Sequence, residues 1–84
     1  MMQGKRIAGD VEPHLLNEGE YGYWKAGGGF YARPPAYPWA ANLSSHKVVE
    51  HEDGTITVSP SIFISTNHDK PWHGYLERGI WRIV

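Results

Sequence analysis

Residues 46–65, HKVVEHEDGTITVSPSIFIS, decide the fold of this 84-residue chain. β-Branched residues, which favour strands, lie on both sides of Asp53-Gly54. An Asp-Gly pair readily adopts the positive φ angles of a two-residue type I′ turn, the tight connection between antiparallel strands. The stretch therefore predicts an antiparallel β-hairpin with Asp53 and Gly54 as its turn.

A two-residue turn at this point also determines which side chains share a face. It places Val49 opposite Val58 and His51 opposite Ile56. Strand alternation then puts these four side chains on the side of the hairpin that faces the core. The sequence thus predicts a core-facing histidine.

The residues after the second strand are expected to leave the ladder. Pro60 has no amide hydrogen to donate to a neighbouring strand, so the second strand should end there. The next apolar run, Ile-Phe-Ile at residues 62–64, is short and is expected to be buried.

Residues 72–84, WHGYLERGIWRIV, predict a second hairpin with Arg78-Gly79 as its turn. This turn pairs Leu76 with Trp81, and alternation divides the side chains between two faces. The apolar face carries Trp72, Leu76, Trp81 and Ile83, and the other face carries His73, Tyr75 and Arg82.

The predicted fold is mainly β: a small single domain of two antiparallel β-hairpins with an aromatic arm rich in glycine and proline. Within this one domain, residues 1–20 are an N-terminal arm, residues 21–45 the aromatic segment and residues 46–84 the two-hairpin core. A chain of 84 residues buries only roughly 60–65% of its unfolded surface, so its core is small. We therefore expect it to gain stability by forming a homo-oligomer.

The composition argues against several classes of protein. The chain has no cysteine, which excludes disulfides and thiolate metal sites and fits a reducing compartment. Its net charge is -1 and its pI is about 6.5, so it lacks the broad basic surface that binds duplex nucleic acid. No apolar run approaches the roughly twenty residues of a membrane span, and no signal-peptide core is present. These features predict a cytoplasmic protein that binds neither duplex nucleic acid nor a membrane.

Four Trp, five Tyr and two Phe are a large aromatic content for a chain with so small a core. Such rings either replace aliphatic side chains in the core or line a pocket or a subunit interface, and the sequence leaves both open. Many of them lie in residues 21–39, YGYWKAGGGFYARPPAYPW, around three glycines. Because no Lys-Ser/Thr follows, the glycines predict a turn between two short aromatic strands and not a phosphate-binding loop. The prolines after them predict an extended loop or lid.

Aromatic and basic side chains together indicate a binding function. Rings stack on nucleobases, and Arg and Lys bind phosphates through charge-assisted hydrogen bonds. A small, nearly neutral domain that oligomerises can hold a small anionic nucleotide without any cofactor, although the same rings would also suit the seam of a purely structural dimer. The candidate ligand-binding residues are Trp24, Tyr31, Arg33, Tyr37, Trp39, His73, Arg78 and Arg82.

The histidines give an alternative, a small phosphodiesterase or metal-dependent hydrolase. Phosphodiester hydrolysis needs a base that activates water and a cation that stabilises the developing charge. Two histidine pairs are each five residues apart, an odd spacing that puts the members on opposite faces of a strand. No recurring catalytic motif is present, so we predict neither a catalytic residue nor a bound metal. The residues of the alternative enzyme would be His51, His68, Asp69 and His73.

Two stretches carry a resemblance to known proteins, EHEDGTITVSPSI at residues 50–62 and WHGYLERGIW at residues 72–81. In both, the chain resembles a family of short, uncharacterised bacteriophage proteins, some of which are labelled "ammonia monooxygenase". It is more distantly similar to a bacterial domain of unknown function with a cysteine cluster before the first hairpin and a further cysteine after the second. Neither cysteine position is kept here, so only His73 remains of the zinc ligands that this resemblance implies.

The phage resemblance implies a function by context, since small phage proteins often counter host defence. Several such families are sponges, which are oligomers that sequester cyclic nucleotides or ADP-ribose-derived immune signals. We therefore predict a phage anti-defence protein that acts in the host cytoplasm and sequesters such a signal without chemistry. A third alternative is a protein that inhibits a host defence effector by binding it directly.

Overall fold

The computed structural model describes residues 1–65 and 71–84, and their regular structure is almost entirely β. A 3₁₀ turn at Pro13–Leu15 is the one exception among these residues. The strands are β1 (Met2–Gln3), β2 (Lys5–Asp10), β3 (Glu20–Trp24), β4 (Gly29–Ala32), β5 (Ala41–Asn42), β6 (Lys47–Glu50), β7 (Ile56–Ile64), β8 (Trp72–Glu77) and β9 (Ile80–Ile83).

The strands form two sheets, which confirms the mainly β fold class. The five-stranded sheet has the order β1-β9-β8-β7-β6, and every neighbouring pair in it is antiparallel. The four-stranded sheet has the order β2-β3-β4-β5, in which β2 is parallel to β3 and the other pairs are antiparallel. The second sheet comes entirely from residues 1–45, the part of the chain that we described as an arm and an aromatic segment.

One hydrophobic core lies between the two sheets. Trp72 and Trp81 pack edge to face in it, with ring centroids 5.6 Å apart. Each buried indole N–H is satisfied, because Trp72 Nε1 donates to the Pro35 carbonyl at 2.8 Å and Trp81 Nε1 donates to the Gly19 carbonyl at 2.9 Å. The core consists of Tyr21, Ala32, Tyr37, Leu43, Ile56, Val58, Ile62, Trp72, Leu76 and Trp81.

The first hairpin is present, but its register is one residue away from the predicted one. Val48, not Val49, lies opposite Val58. The turn is longer because His51 N donates to the Thr55 carbonyl at 2.8 Å, which leaves residues 52–54 as a three-residue loop. Gly54 has a φ of 86° at the last loop position, as the three-residue class of hairpin requires.

The side chain of Asp53 stabilises the longer turn. Its carboxylate accepts hydrogen bonds from Thr55 N at 3.0 Å and Thr55 Oγ1 at 2.6 Å. These bonds lower the pKa of Asp53, with the Thr55 hydroxyl as the largest cause. A one-residue shift moves every side chain of β6 to the opposite face, so the prediction that His51 faces the core was wrong. His51 instead bonds through Nε2 to Thr57 Oγ1 at 2.7 Å.

The second hairpin has the predicted register. Leu76 lies opposite Trp81, and the turn residues Arg78 and Gly79 have φ angles of 47° and 76°, the positive values of a type I′ turn. Trp72, Leu76 and Trp81 are buried as predicted. Ile83, at the end of β9, is 54% exposed, so the core face ends before it.

Pro60 does not end β7, which continues to Ile64. The pairing of β7 with β8 shifts between Val58 and Ile62, and this bulge accommodates a residue that cannot donate to the ladder. The longer strand restores alternation beyond the bulge. Ile62 is therefore buried while Phe63 is 57% exposed, which corrects the expectation that residues 62–64 are all buried.

The glycine-rich stretch is the predicted turn between two short aromatic strands. β3 and β4 pair from Tyr21 opposite Ala32 to Trp24 opposite Gly29. The loop after β4 then crosses the end of the core, where its Tyr37 is only 8% exposed. Among the residues described, no helix has the length and apolar character needed to cross a membrane.

Candidate ligand-binding cleft

A cleft of about 380 Å³ opens where the loop after β4 and strand β5 meet the C-terminal end of β7. It lies at one end of the two sheets, and the segment between β5 and β6 closes one side of it. The side chains that give it its chemistry are Tyr37, Asn42, Ser45, His46, Ile62 and Phe63.

The base of the cleft is apolar. Tyr37 and Ile62 both belong to the core, with exposures of 8% and 1%, and both also line the cleft. Phe63, which is 57% exposed, also lines the cleft. A planar apolar ligand would therefore contact an aromatic ring and an aliphatic side chain at the floor of the cleft.

His46 gives the cleft its polar edge. Its Nδ1 is buried and has no hydrogen-bond partner among the described residues. A buried polar atom left without a partner destabilises a protein by roughly 1–3 kcal/mol. The backbone N–H of His46 donates to the Leu43 carbonyl at 3.0 Å, so the position of the residue is fixed even though its ring nitrogen is unsatisfied.

The remaining polar groups of the cleft are neutral. Ser45 and Ser65 contribute hydroxyl groups and Asn42 an amide, whose oxygen accepts a hydrogen bond from Ser44 N at 2.9 Å. No Asp, Glu, Lys or Arg is among the described residues that line the cleft. The site is therefore suited to a ring with hydrogen-bonding groups on its edge and does not repel a negatively charged substituent.

Three of the predicted ligand-binding residues lie at or beside the cleft. Tyr37 lines it, and the ring of Trp39 lies 6.2 Å from the Tyr37 ring in an edge-to-face arrangement. Arg33 supports the loop: its Nε donates to the Tyr37 carbonyl at 2.9 Å and its Nη1 to the Leu16 carbonyl at 3.2 Å. These bonds make Arg33 a positioning residue for Tyr37 and occupy the guanidinium that we expected to bind phosphate.

Trp24 and Tyr31 lie elsewhere, on the four-stranded sheet. Their rings pack together edge to face with centroids 5.5 Å apart. Alternation from the buried Tyr21 and Ala32 puts both rings on the side of this sheet that faces away from the core. The structure does not bring these two residues to the cleft.

The last three predicted residues lie on the five-stranded sheet. His73 and Arg82 are on its outer face, the side opposite the core, where the Arg82 guanidinium lies 4.3 Å from the ring centroid of Tyr75. Arg78 is in the turn between β8 and β9. The eight predicted residues thus fall in separate places, and no single pocket holds them.

Of the residues of the alternative hydrolase, the two that the structure describes, His51 and His73, do not lie close together. His51 bonds to Thr57 near the start of β7, while His73 lies opposite Phe63 near its end. Six residues of extended strand separate Thr57 from Phe63, roughly 20 Å. His68 and Asp69 are outside the described residues. Within residues 1–65 and 71–84, no group of three or more His, Cys, Asp or Glu side chains could hold a metal ion.

Sequence reasoning missed His46 and Phe63 as cleft residues. His46 was not among the residues predicted to bind a ligand, and Phe63 was placed in a buried run. Alternation on both sides of the bulge would have shown Phe63 to be exposed, but only if the strand was known to continue past Pro60. Nothing in the local sequence indicates that His46 has an unsatisfied ring nitrogen.

The fold and the cleft define a small β protein whose two sheets leave a cleft at one end. Comparison of the chain with protein-family models, with curated proteins and with solved structures gives no match.

Proposed function

We propose that this protein binds a small nucleotide-type ligand without altering it chemically. The cleft holds the ligand by its nucleobase. The observation that carries the proposal is the cleft itself, where His46 lies beside an apolar floor formed by Tyr37 and Ile62. A nucleobase meets both requirements, because it has two flat faces and donors and acceptors along its edge.

The contacts follow from the positions of the cleft residues. The nucleobase of the ligand lies against Tyr37 and Ile62, with its edge beside the His46 side chain. The phosphates lie towards the opening, where Asn42 and Ser45 provide neutral donors. The absence of carboxylates among the described lining residues favours a ligand that carries negative charge.

Binding without hydrolysis is the better-supported form of this function. A hydrolase needs its base and its charge-stabilising group within reach of one phosphate. His51 and His73, which we considered for these roles, lie at opposite ends of β7. The cleft has one histidine and no described carboxylate.

The resemblance of residues 50–62 and 72–81 to phage proteins supplies the biological setting of the proposal. In that setting the ligand is an immune signal of the host, a cyclic oligonucleotide or an ADP-ribose derivative. The protein sequesters it in the host cytoplasm and so acts against host defence. A homo-oligomer would hold several such molecules.

The experiment is a thermal-shift screen of the purified chain against cyclic di- and trinucleotides, ADP-ribose and its cyclic isomers, with inorganic phosphate as the negative control. Each ligand is recovered after heating and identified by chromatography. We expect at least one nucleotide, but not phosphate, to raise Tm and to be recovered intact. Turnover of the ligand would favour the hydrolase, and a screen with no response would favour direct inhibition of a host protein.

Two variants locate the binding. His46→Ala removes the imidazole of a residue that lines the cleft, while His14→Ala removes a histidine that is largely exposed at the 3₁₀ turn. We expect the ligand-induced rise in Tm to be lost in His46→Ala and retained in His14→Ala. Equal responses of the two variants would contradict a site at the cleft.

A further inference from the structure

The outer face of the five-stranded sheet carries a continuous row of rings, which we call the aromatic row: Phe63, His73 and Tyr75. The centroids of Phe63 and His73 are 5.4 Å apart and those of His73 and Tyr75 are 6.1 Å apart. None of the three belongs to the hydrophobic core. Their positions are nevertheless fixed, because they lie on paired strands and His73 Nε2 is 3.2 Å from Ser61 Oγ.

Arg82 extends the aromatic row by one flat group. Its guanidinium lies 4.3 Å from the centroid of the Tyr75 ring. Arg82 lies directly opposite Tyr75 in the pairing of β8 and β9. The guanidinium is held on one side by the Tyr75 ring, and its side chain is 49% exposed. A planar guanidinium in this position can stack on a nucleobase and also bind a phosphate.

Among the described residues, two cations, Lys47 and Arg82, share this face with the rings. Lys47 shares the face because it is two residues from Val49, whose exposure places it on the outer side of β6. Glu77 is the one acid on this face within the described strands, and its Oε1 accepts a hydrogen bond from Arg82 Nη2 at 3.3 Å. Glu50 is turned to the other side, where it pairs with Arg6, and the acids of the first hairpin turn lie at the far end of the sheet from Phe63.

We propose that the aromatic row and Arg82 bind a short single-stranded oligonucleotide by stacking successive bases, with Arg82 and Lys47 contacting its phosphates. Aromatic side chains on an open sheet face are a recurring platform for single strands, because every base has a flat face and stacking tolerates any sequence. Only two cations take part, so a low net charge of the whole chain is compatible with this mode. The site shares Phe63 with the His46 cleft, but His73, Tyr75, Arg82 and Lys47 do not line that cleft, and the inference goes beyond the function proposed for it.

The composition of the face favours a nucleic acid over a second copy of this chain. Subunit interfaces are depleted in Lys, Glu and Ser, and this face carries Lys47, Glu77 and Ser61 among its rings. Packing two such faces together would remove these groups from water without partners for them. A wet, charged nucleic-acid interface keeps them solvated.

The experiment measures the fluorescence anisotropy of labelled eight-nucleotide dT and U strands with the full chain. Two phosphate contacts predict that affinity falls about seven-fold between 50 and 200 mM salt. Tyr75→Leu keeps apolar bulk but removes a ring, and we expect it to weaken binding about ten-fold. Arg82→Lys keeps the positive charge but removes the planar guanidinium, so it should also weaken binding. Glu77→Gln removes the competing carboxylate and should strengthen it.

Lys25→Ala is the matched control, since Lys25 is an exposed cation in the turn between β3 and β4. The Lys25→Ala variant should bind both labelled strands with the affinity of the unchanged chain. Equal weakening by Lys25→Ala, or no binding of either strand at 50 mM salt, would overturn the proposal. A dimer that Tyr75→Leu abolishes would also overturn it and would make the face a subunit interface. The His46 cleft is tested separately, because Tyr75→Leu should leave the nucleotide-induced rise in Tm unchanged.

Discussion

Phe63 lies directly opposite His73 in the pairing of β7 and β8, with ring centroids 5.4 Å apart and planes at 71°. The same Phe63 lines the His46 cleft. One exposed ring therefore belongs to two candidate binding surfaces, the cleft at the end of the sheets and the aromatic row on the outer face. This placement results from the bulge in β7, which carries the strand past Pro60.

Replacement of Gly54 by Ala should destabilise the first hairpin. Gly54 has a φ of 86°, and an L-residue in that region is less stable than glycine by about 1–2 kcal/mol. Gly29→Ala is the control, because Gly29 has an ordinary φ and open space around its would-be Cβ. Urea unfolding should show the loss for Gly54→Ala and little change, or a small gain, for Gly29→Ala. Equal free energies of unfolding for the two variants would contradict the three-residue turn.

Asp53 should make the stability of the protein depend on pH in the acid range. Its pKa is lowered in the folded state by hydrogen bonds from Thr55, so its ionised form stabilises the fold. That contribution is present above the unfolded value of about 3.9 and is lost as pH falls through the lower folded value. Melting curves from pH 6 to 2 should therefore fall less steeply for Asp53→Asn than for the unchanged chain. Parallel curves would show that the turn does not depend on the carboxylate.

Arg6 should matter more for stability than the salt bridge that it forms. Its Nη1 donates to Glu50 Oε2 and to the Gly54 carbonyl, both at 2.8 Å, and its guanidinium lies 5.3 Å from the Phe30 ring centroid. The arginine thus joins β2 of one sheet to the first hairpin of the other. We expect Arg6→Ala to reduce the free energy of unfolding by about 2 kcal/mol through lost packing and hydrogen bonds.

Glu50→Gln is the matched test for the salt bridge, since the Glu50 side chain is 50% exposed and such pairs contribute only about 0–1 kcal/mol. Chemical unfolding of both variants measures the difference. A loss for Glu50→Gln as large as that for Arg6→Ala would mean that the ion pair itself joins the sheets.

Tyr37 and Trp39 should separate stability from binding. Tyr37 is 8% exposed in the core, so Tyr37→Ala should lower the free energy of unfolding by about 3–5 kcal/mol. Trp39 is 57% exposed beside it, so Trp39→Ala should change Tm little but reduce the nucleotide-induced rise in Tm. For both variants, Tm without ligand and the rise in Tm with nucleotide are measured on the same protein preparation. A large loss of stability in Trp39→Ala would assign that ring to the fold and not to the ligand.

Local sequence was sufficient for the second hairpin and its turn. Arg78-Gly79 forms the type I′ turn that its residue types indicate, and the alternation of β8 follows directly from it. Hairpin and turn preferences depend on neighbouring residues, which a sequence displays. The first hairpin shows the limit, because one side-chain interaction between Asp53 and Thr55 lengthened the turn and moved His51 to the other face.

By itself, then, the sequence determined a small, mainly β chain, the two hairpins and the division of β8 and β9 into a buried and an exposed face. Only the tertiary structure decided that residues 1–45 form a second sheet, that Arg33 supports the Tyr37 loop and that His46 and Phe63 line one cleft. The physical reason is distance along the chain. Contacts between residues far apart in sequence depend on how two sheets pack, and no local pattern records which buried atom packing leaves without a partner.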